Sequence, residues 1–506
     1  MRIAIAGAGV SGFATLGYLV ESLRATPSAE VTIYWLQPPK HIQMENLSTP
    51  QRDRLTRLQE RGLDPSQLLG GGSVYHPMQP SLFTFNGSSA ARGFNFATGR
   101  YDSTDYFEWV QVNRDWLAIL YPDFAPEKGQ QRHPKHTLDD IKGTTPRGAY
   151  GLYLHDCVLA VKAHLPKHIS LKILPGALQS FEQTGQTVTL KTSDRPLRVD
   201  YLVQATGPRF GKLRPEWDGR VFKAYPCDRY SRNLPSEVTV VGAGAAGIEV
   251  SLHLLHNLGV EQVTLVSRRA QSRLPQVDPT ETYKCHWLTR ENMQLQPTAQ
   301  HAQALLQKEL EACYQACQLP YPGWEALSNI KDYPKFLEEY LETTNLSSNH
   351  PFAHLVRPVM SFYGQVKNLL STVDQIGVLH LINQVKPLFA TQSQPCAELM
   401  LAALKTNRLK LIAGDFLSEQ TTPTILQTDG TQLHPNCVIL ATGFAFPIPP
   451  FHPQVSSTRY YQVMGTSLSS VHRRAEGVAE TIVAGIKRKS ANRNLRGLYE
   501  QEAESA

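Results

Sequence analysis

Arg2-Ile-Ala-Ile-Ala-Gly7-Ala-Gly9-Val-Ser-Gly12 is the stretch whose reading decides the fold. Ile3 and Ile5 belong to a short apolar run of the kind that forms a buried parallel strand. Gly7, Gly9 and Gly12 follow at G-x-G-x-x-G spacing, and Phe13 to Leu23 continues with a helix-like apolar pattern. Strand, glycine turn and helix in that order make a βα unit suited to hold a pyrophosphate. Gly7 permits the tight turn, Gly9 lets the backbone approach the phosphates, and Gly12 lets helix and strand pack closely. The helix N-terminus adds N–H donors and partial positive charge. The glycine spacing alone is a weak signal; the strand before it and the helix after it make it specific.

The pattern recurs at Val238-Thr-Val-Val-Gly242-Ala-Gly244-Ala-Ala-Gly247, with its first glycine 235 residues after Gly7. That interval is too long for neighbouring turns of one mononucleotide half, so the chain is expected to hold two dinucleotide domains. Each glycine motif has a second strand, Val31-Thr-Ile-Tyr-Trp-Leu36 and Gln262-Val-Thr-Leu-Val266. Each is also answered by a later apolar strand that ends in Ala-Thr-Gly, at Ala205-Thr206-Gly207 and at Ala441-Thr442-Gly443. An acid is expected after the first of the second strands, where it would bind the adenosine ribose hydroxyls. Trp35 and Gln37 stand there instead. Either Gln37 makes a neutral hydrogen bond to the ribose, or another segment holds it. After the other second strand come Ser267-Arg268-Arg269. An acid there would repel a 2′-phosphate, whereas paired guanidiniums bind it bidentately, which favours NADPH over NADH. The alternative is that one arginine sits in solvent or packs on adenine.

At 506 residues, two or three domains are expected. The expected fold is α/β, with two Rossmann-like dinucleotide-binding domains, the second inserted in the first, and a helical insertion. The first part of one dinucleotide-binding domain is placed at residues 1–208. A second dinucleotide-binding domain at 209–440 carries the helical insertion at about 270–400. Residues 441–506 return to the first domain and end in an amphipathic helix near Gly477 to Ile486. Ser170 to Leu174 and Thr187 to Leu190 read as strands of a small antiparallel layer. Asp429-Gly430 reads as a hairpin turn.

A composition of 41% hydrophobic and 19% charged residues is that of an ordinary globular protein. No apolar run reaches membrane-spanning length, so no membrane insertion is expected. The N-terminus shows no signal-peptide layout, and a cytoplasmic location is expected. Seven scattered cysteines argue against a disulfide framework. The net charge of +6 resides partly in Lys487-Arg488-Lys489, Arg493 and Arg496, read as a solvated helix end. Without interleaved aromatics these residues make no nucleic-acid surface. His133 and His136 lack the spacing of a metal site.

Paired glycine motifs with paired Ala-Thr-Gly strand ends resemble the flavoproteins with two dinucleotide-binding domains, with FAD on the N-terminal domain and NAD(P)H on the inserted one. Two such cofactors face each other so that a hydride passes between them. The N-terminal third is similar to the FAD/NAD(P)-binding protein family at Gly7, Gly9 and Gly12, at Gly71-Gly72-Ser-Val-Tyr75 and at Phe85-Asn86. Asp105-Tyr-Phe-Glu-Trp109, Pro146-Arg147 and Tyr150-Gly-Leu-Tyr153 match it too. The second half resembles the flavin monooxygenases that hydroxylate amines, at Gly242 to Gly247, Ser267 to Arg269 and Ala441 to Phe444. It departs from them before the second glycine motif, where Tyr225-Pro-Cys-Asp-Arg-Tyr230 replaces a Phe-x-Gly-x-x-x-His pattern. The resemblance implies an FAD that is reduced by NADPH and activates oxygen as a C4a-hydroperoxide.

On that resemblance Asn86 lies near the flavin, as a hydrogen-bond donor to it or simply as the turn Asn86-Gly87. Arg147 is either a phosphate contact or structural. No cysteine precedes Cys157 and no Cys-x-x-Cys occurs, which disfavours the disulfide-reductase branch; Cys313 and Cys317 read as two packed thiols on one helix face. The expected function is an FAD-dependent, NADPH-consuming oxidoreductase that N- or S-oxygenates a small molecule. The alternatives are a flavin reductase serving another acceptor, or a nucleotide-binding protein without turnover. The oligomeric state is not legible.

Overall fold

The computed structural model describes residues 1–26, 30–38, 44–84, 94, 105–122, 145–207, 213–217, 219–225, 234–275, 283–346, 349–389, 392–443, 459–463 and 468–504. Asn86, His133, His136, Phe444 and all but the first residue of Tyr225–Tyr230 lie outside them. The chain forms two compact units, one within residues 1–83, 89–211 and 444–506, the other within 84–88 and 212–443.

The first unit opens with β1 (Arg2–Ala6), α1 (Val10–Arg24) and β2 (Val31–Gln37). It continues through α2 (Thr49–Glu60), α3 (Asp105–Val112), α4 (Arg114–Leu120) and α5 (Arg147–Ala163). The strands β3 (Ile169–Pro175), β4 (Leu178–Thr184), β5 (Thr187–Thr192), β6 (Leu197–Val199) and β7 (Tyr201–Gln204) come next. The described sheet runs β15-β7-β1-β2-β3, where β15 is Tyr460–Gln462, and all its pairings are parallel. Ile3, Ala4, Ile5 and Ala6 are fully buried, as a strand covered on both faces requires. β4, β5 and β6 form a separate antiparallel sheet.

Ser170–Leu174 therefore corrects the reading as part of an antiparallel layer: as β3 it pairs in parallel with β2 at the edge of the dinucleotide sheet. Its alternation of half-buried and exposed residues is that of an edge strand, and one-strand periodicity does not name a pairing partner. The chain ends in α14 (Leu468–Glu504), much longer than the stretch to Ile486 that reads as amphipathic. Val471, Ala475, Ala479, Ile482 and Ile486 form its buried stripe, and it packs along α1.

The second unit contains β8 (Val221–Lys223), β9 (Glu237–Val241), α6 (Ala245–Asn257) and β10 (Gln262–Ser267). Helices follow: α7 (Arg290–Leu295), α8 (Ala299–Ala316), α9 (Trp324–Ser328), α10 (Tyr333–Leu346), α11 (Pro351–Val366), α12 (Thr372–Phe389) and α13 (Gln394–Lys405). It closes with β11 (Leu409–Phe416), β12 (Ile425–Gln427), β13 (Gln432–Leu433) and β14 (Val438–Leu440). Its sheet order is β13-β12-β11-β10-β9-β14-β8, parallel from β11 to β8. Helices thus fill the run between β10 and α13. Glu309 of α8 anchors them: its buried carboxylate accepts from Tyr283 Oη at 2.6 Å and from the backbone N–H groups of His286, Trp287 and Leu288.

Candidate dinucleotide sites

Each glycine loop is built the same way. Gly7 N–H donates to Leu36 O at 3.1 Å and Gly242 N–H to Val266 O at 2.8 Å, which extends each first strand by one bond. Both glycines have positive φ, +115° and +106°, where an L side chain is strained. The Ala-Thr-Gly strand ends pass directly beneath. A Cβ on Gly7 would stand 2.3 Å from Ala205 O, and one on Gly242 would stand 2.6 Å from Ala441 O. Ala205 N–H and Ala441 N–H in turn donate at 2.8 Å to Ala6 O and Val241 O. The third glycines let the helix fold back on the loop: a Cβ on Gly12 would lie 1.9 Å from Gly7 O, and one on Gly247 1.7 Å from Gly242 O.

The second glycines, Gly9 and Gly244, cap α1 and α6 with extended backbone, no side-chain cap bond and no acid in the first turn. The first N–H groups of each helix and its positive dipole end are thereby left to an anion. These are cradles that a Cβ would fill, and they fit the pyrophosphate of a dinucleotide. Thr206 and Gly207 lie just past β7, with Thr206 exposed and accepting from Gln204 Nε2 at 3.3 Å. Gly207 and Gly443 turn each strand end away with φ of +75° and +98°.

Trp35 does not stand in the ribose position. Its indole is fully buried and Nε1 donates to Gly7 O at 2.9 Å, so it braces the first loop from inside. Gln37 ends the strand, 9% exposed, and its Nε2 lies 3.5 Å from Leu68 O. Arg268 and Arg269 are both exposed past β10, and Arg269 Nη1 donates to Gln384 O of α12 at 2.9 Å. Arg147 begins α5, and its backbone N–H donates to Phe83 O at 2.8 Å.

Two features are not legible in the glycine spacing. The first is what covers Gly9. Gly70 N–H donates to Ala8 O at 3.1 Å, and a Cβ on Gly72 would come within 3.2 Å of Gly9 Cα, so the 70–72 segment lies on the first loop backbone to backbone. It is held by His155, whose Nδ1 accepts from Leu69 N–H at 3.2 Å, and by Gly151 of α5, which leaves room for Tyr75 O. Beyond it, Arg54 is buried in α2 and bonds Leu120 O, Pro77 O, Gln79 O and Ser81 Oγ at 2.6–3.1 Å. Its guanidinium stacks 4.2 Å from the centre of the Tyr121 ring, whose phenol burial pushes up to about 12. A sequence signal existed: Gln51, Arg54, Leu55 and Leu58 share one helical face, so Arg54 occupies a core position. The second feature is Arg273, whose guanidinium lies over Gly244, with Nη2 3.5 Å from where a Cβ would be.

Cys313 is buried and Cys317 half-buried; hydrogen bonding to Cys317 and burial push the Cys313 thiol far above the usual thiol range. Among the described residues no group of histidine, cysteine or acid side chains could hold a metal, and no helix is long and apolar enough to cross a membrane.

Residues 4–209 match the FAD-NAD(P)-binding family. Residues 137–300, which include the second glycine loop, match the pyridine nucleotide-disulphide oxidoreductase family. No curated protein sequence matches the chain. Similar solved structures include an ornithine hydroxylase from Pseudomonas aeruginosa, at 12% identity over 96% of this chain and 99% of that one, TM-score 0.46. An L-lysine 6-monooxygenase from Pseudomonas syringae gives 13%, 96%, 99% and 0.40. An ornithine N-hydroxylase from Kutzneria sp. 744 gives 12%, 97%, 99% and 0.43. Values this low bear on neither substrate nor chemistry. The two family matches overlap across 137–209 and together reach residue 300, which makes this chain an FAD- and NAD(P)-binding oxidoreductase.

Proposed function

We propose that the protein is an FAD-dependent, NADPH-consuming monooxygenase that oxygenates a small molecule at nitrogen or sulfur. The observation that supports it most is the duplicated loop: two glycine turns, each with an Ala-Thr-Gly strand end beneath it, in two separate parallel sheets. On this reading Gly7, Gly9 and Gly12 hold the FAD pyrophosphate, with Thr206 and Gly207 beside them. Gln37 offers its amide to the ribose hydroxyls. Gly242, Gly244 and Gly247 hold NADPH, Gly443 flanks them, and exposed Arg268 takes the 2′-phosphate with Arg269 tethered next to it. Asn86 keeps its proposed place near the flavin on the resemblance alone.

Bound FAD supplies the hydride-accepting and oxygen-activating chemistry; the chain binds, orients and shields it from water. Transfer to a dithiol is disfavoured, because no Cys-x-x-Cys exists and the Cys313 thiol is held protonated within the helical run of the second unit. Oxygen uptake during NADPH oxidation tests the proposal. Uptake that rises with a small amine or sulfide and matches its oxygenated product supports it. NADPH oxidation that proceeds only with a quinone or ferricyanide, with no oxygenated product, shows a reductase instead.

A further inference from the structure

The segment that covers Gly9 hangs in part on a bond that a proton breaks. On one side Gly70 N–H donates to Ala8 O at 3.1 Å, a bond between backbone groups. On the other side the segment presses on α5: a Cβ on Gly70 would stand 3.0 Å from Leu154 O, and one on Gly71 3.2 Å from Gly151 Cα. Neither contact changes with pH. Leu69 is 6% exposed, so its N–H needs a partner inside the protein. That partner is His155 Nδ1 of α5, at 3.2 Å. A ring nitrogen that accepts carries no proton, so this bond requires the neutral imidazole. The imidazolium is a donor at both nitrogens and would set N–H against N–H.

Asp156, the next residue along α5, is coupled to His155. Burial raises its carboxyl, while a 2.8 Å bond from Trp109 Nε1 and the charge of His155 lower it. Arg147 and Lys162 stand about two turns away on the same helix. Of the charged groups on neighbouring elements, Glu21 and Arg24 of α1 lie 3.8 Å apart, and Arg24 donates to His164 O. Asp64 accepts from Ser66 N–H and Oγ, His76 bonds Pro65 O and Met78 N–H, and Glu108 of α3 is exposed.

We propose that His155 is a positioning residue of the FAD loop: its neutral Nδ1 keeps the 69–72 segment on Gly9, and its protonation frees that segment and lets FAD leave. The inference rests on the reading of the first glycine loop as the FAD site. The loaded form needs the neutral ring and so takes up a proton less readily than the empty form. Affinity for FAD is therefore complete at alkaline pH and falls as pH drops through the range where a histidine titrates, around 6.5.

Full-length protein, loaded with FAD and stripped of it, tests this between pH 8 and pH 5.5. Flavin fluorescence on release gives the affinity. Hydrogen-exchange protection at the Leu69 and Gly70 amides of the stripped protein follows the segment without the cofactor. In the wild type FAD weakens roughly tenfold across this range, the size of a lost bond to a buried N–H, and both amides lose protection. His155→Leu has no acceptor and is weaker by the same factor at both pH values. His155→Asn puts an amide oxygen in place of Nδ1; it recovers most of that loss at pH 8 and keeps the same affinity at pH 5.5. A wild-type pH slope in His155→Asn, wild-type FAD affinity at pH 8 in His155→Leu, or Leu69 protection that acid leaves unchanged overturns the proposal. Wild-type protein that binds no FAD at any pH, while Leu69 protection still follows His155, overturns the reading of the loop instead.

Discussion

The two glycine loops share a backbone and differ in what lies on their second glycine. On Gly9 lies the backbone of Gly72, clamped by Ala8, His155 and α5. On Gly244 lies the guanidinium of Arg273. A neutral, rigid backbone wall suits a cofactor that stays in place, because its donors are fixed and lose no side-chain freedom on binding. A charged side chain suits a nucleotide that comes and goes, with an affinity that salt weakens. On the proposed function, the same steric frame serves a resident and a visiting dinucleotide through one neighbouring segment each.

The comparison breaks most sharply at the third glycines. Gly12→Ala and Gly247→Ala each drive a Cβ to within 2 Å of a backbone oxygen, 1.9 Å and 1.7 Å, that no side-chain movement can relieve. Each is expected to cost about 3 kcal/mol or more. Gly12→Ala yields protein without flavin. Gly247→Ala yields yellow protein that NADPH does not reduce. Absorption spectra and thermal melts separate the two, and loss of flavin from both variants would contradict two independent cradles.

Next in size is Arg54→Met. It strands the buried carbonyls of Leu120, Pro77 and Gln79 and loosens the segment that follows Gly72. The expected loss is about 3 kcal/mol, with weaker FAD retention and unchanged ADP affinity. Urea titration and flavin release measure both.

Acid should then sharpen the contrast between units. Burial lowers His253 to about 3 and His350 to about 4 in the second unit, and His472 to about 4 in the first. Each is neutral when folded and protonates more readily when unfolded. Stability is therefore complete above the unfolded value near 6.5 and falls as pH drops toward the folded values. Per buried histidine the loss is roughly 1.4 kcal/mol for each pH unit below 6.5, so roughly 2 kcal/mol at pH 5. The second unit, where burial also lowers His256, should soften more steeply than the first. Hydrogen exchange at pH 7 and pH 5 checks this, and His253→Gln should flatten the slope for the second unit only. The smallest effect expected is from Trp35→Phe, which removes one donor to Gly7 O and costs about 1 kcal/mol, with no counterpart in the second loop.

Much of the frame was legible because backbone geometry forces residue type. A left-handed turn over a carbonyl admits glycine at 7 and 242, and a helix pressed on its own loop admits glycine at 12 and 247. The two dinucleotide units follow from that spacing taken with the strand before and the helix after each motif. Partners distant in sequence were not legible. Ser170–Leu174 has the pattern of a strand in either sheet, and only the fold pairs it with β2. Trp35 falls in sequence where the ribose acid is expected, and only the fold shows its indole donating to Gly7 O beneath the loop. Arg273 lies past the strand-end arginines that the 2′-phosphate argument selects, and Gln392 reaches it across 119 residues of chain. Arg54 was legible in principle, as a charge on the apolar face of α2.

The purified protein's visible spectrum, followed by anaerobic addition of NADPH, tests the account most directly. A flavin spectrum that bleaches with NADPH in wild-type protein and persists unbleached in Gly247→Ala is expected. A colourless protein that takes up no FAD, or a bound flavin that NADPH leaves oxidised in the wild type, would contradict it.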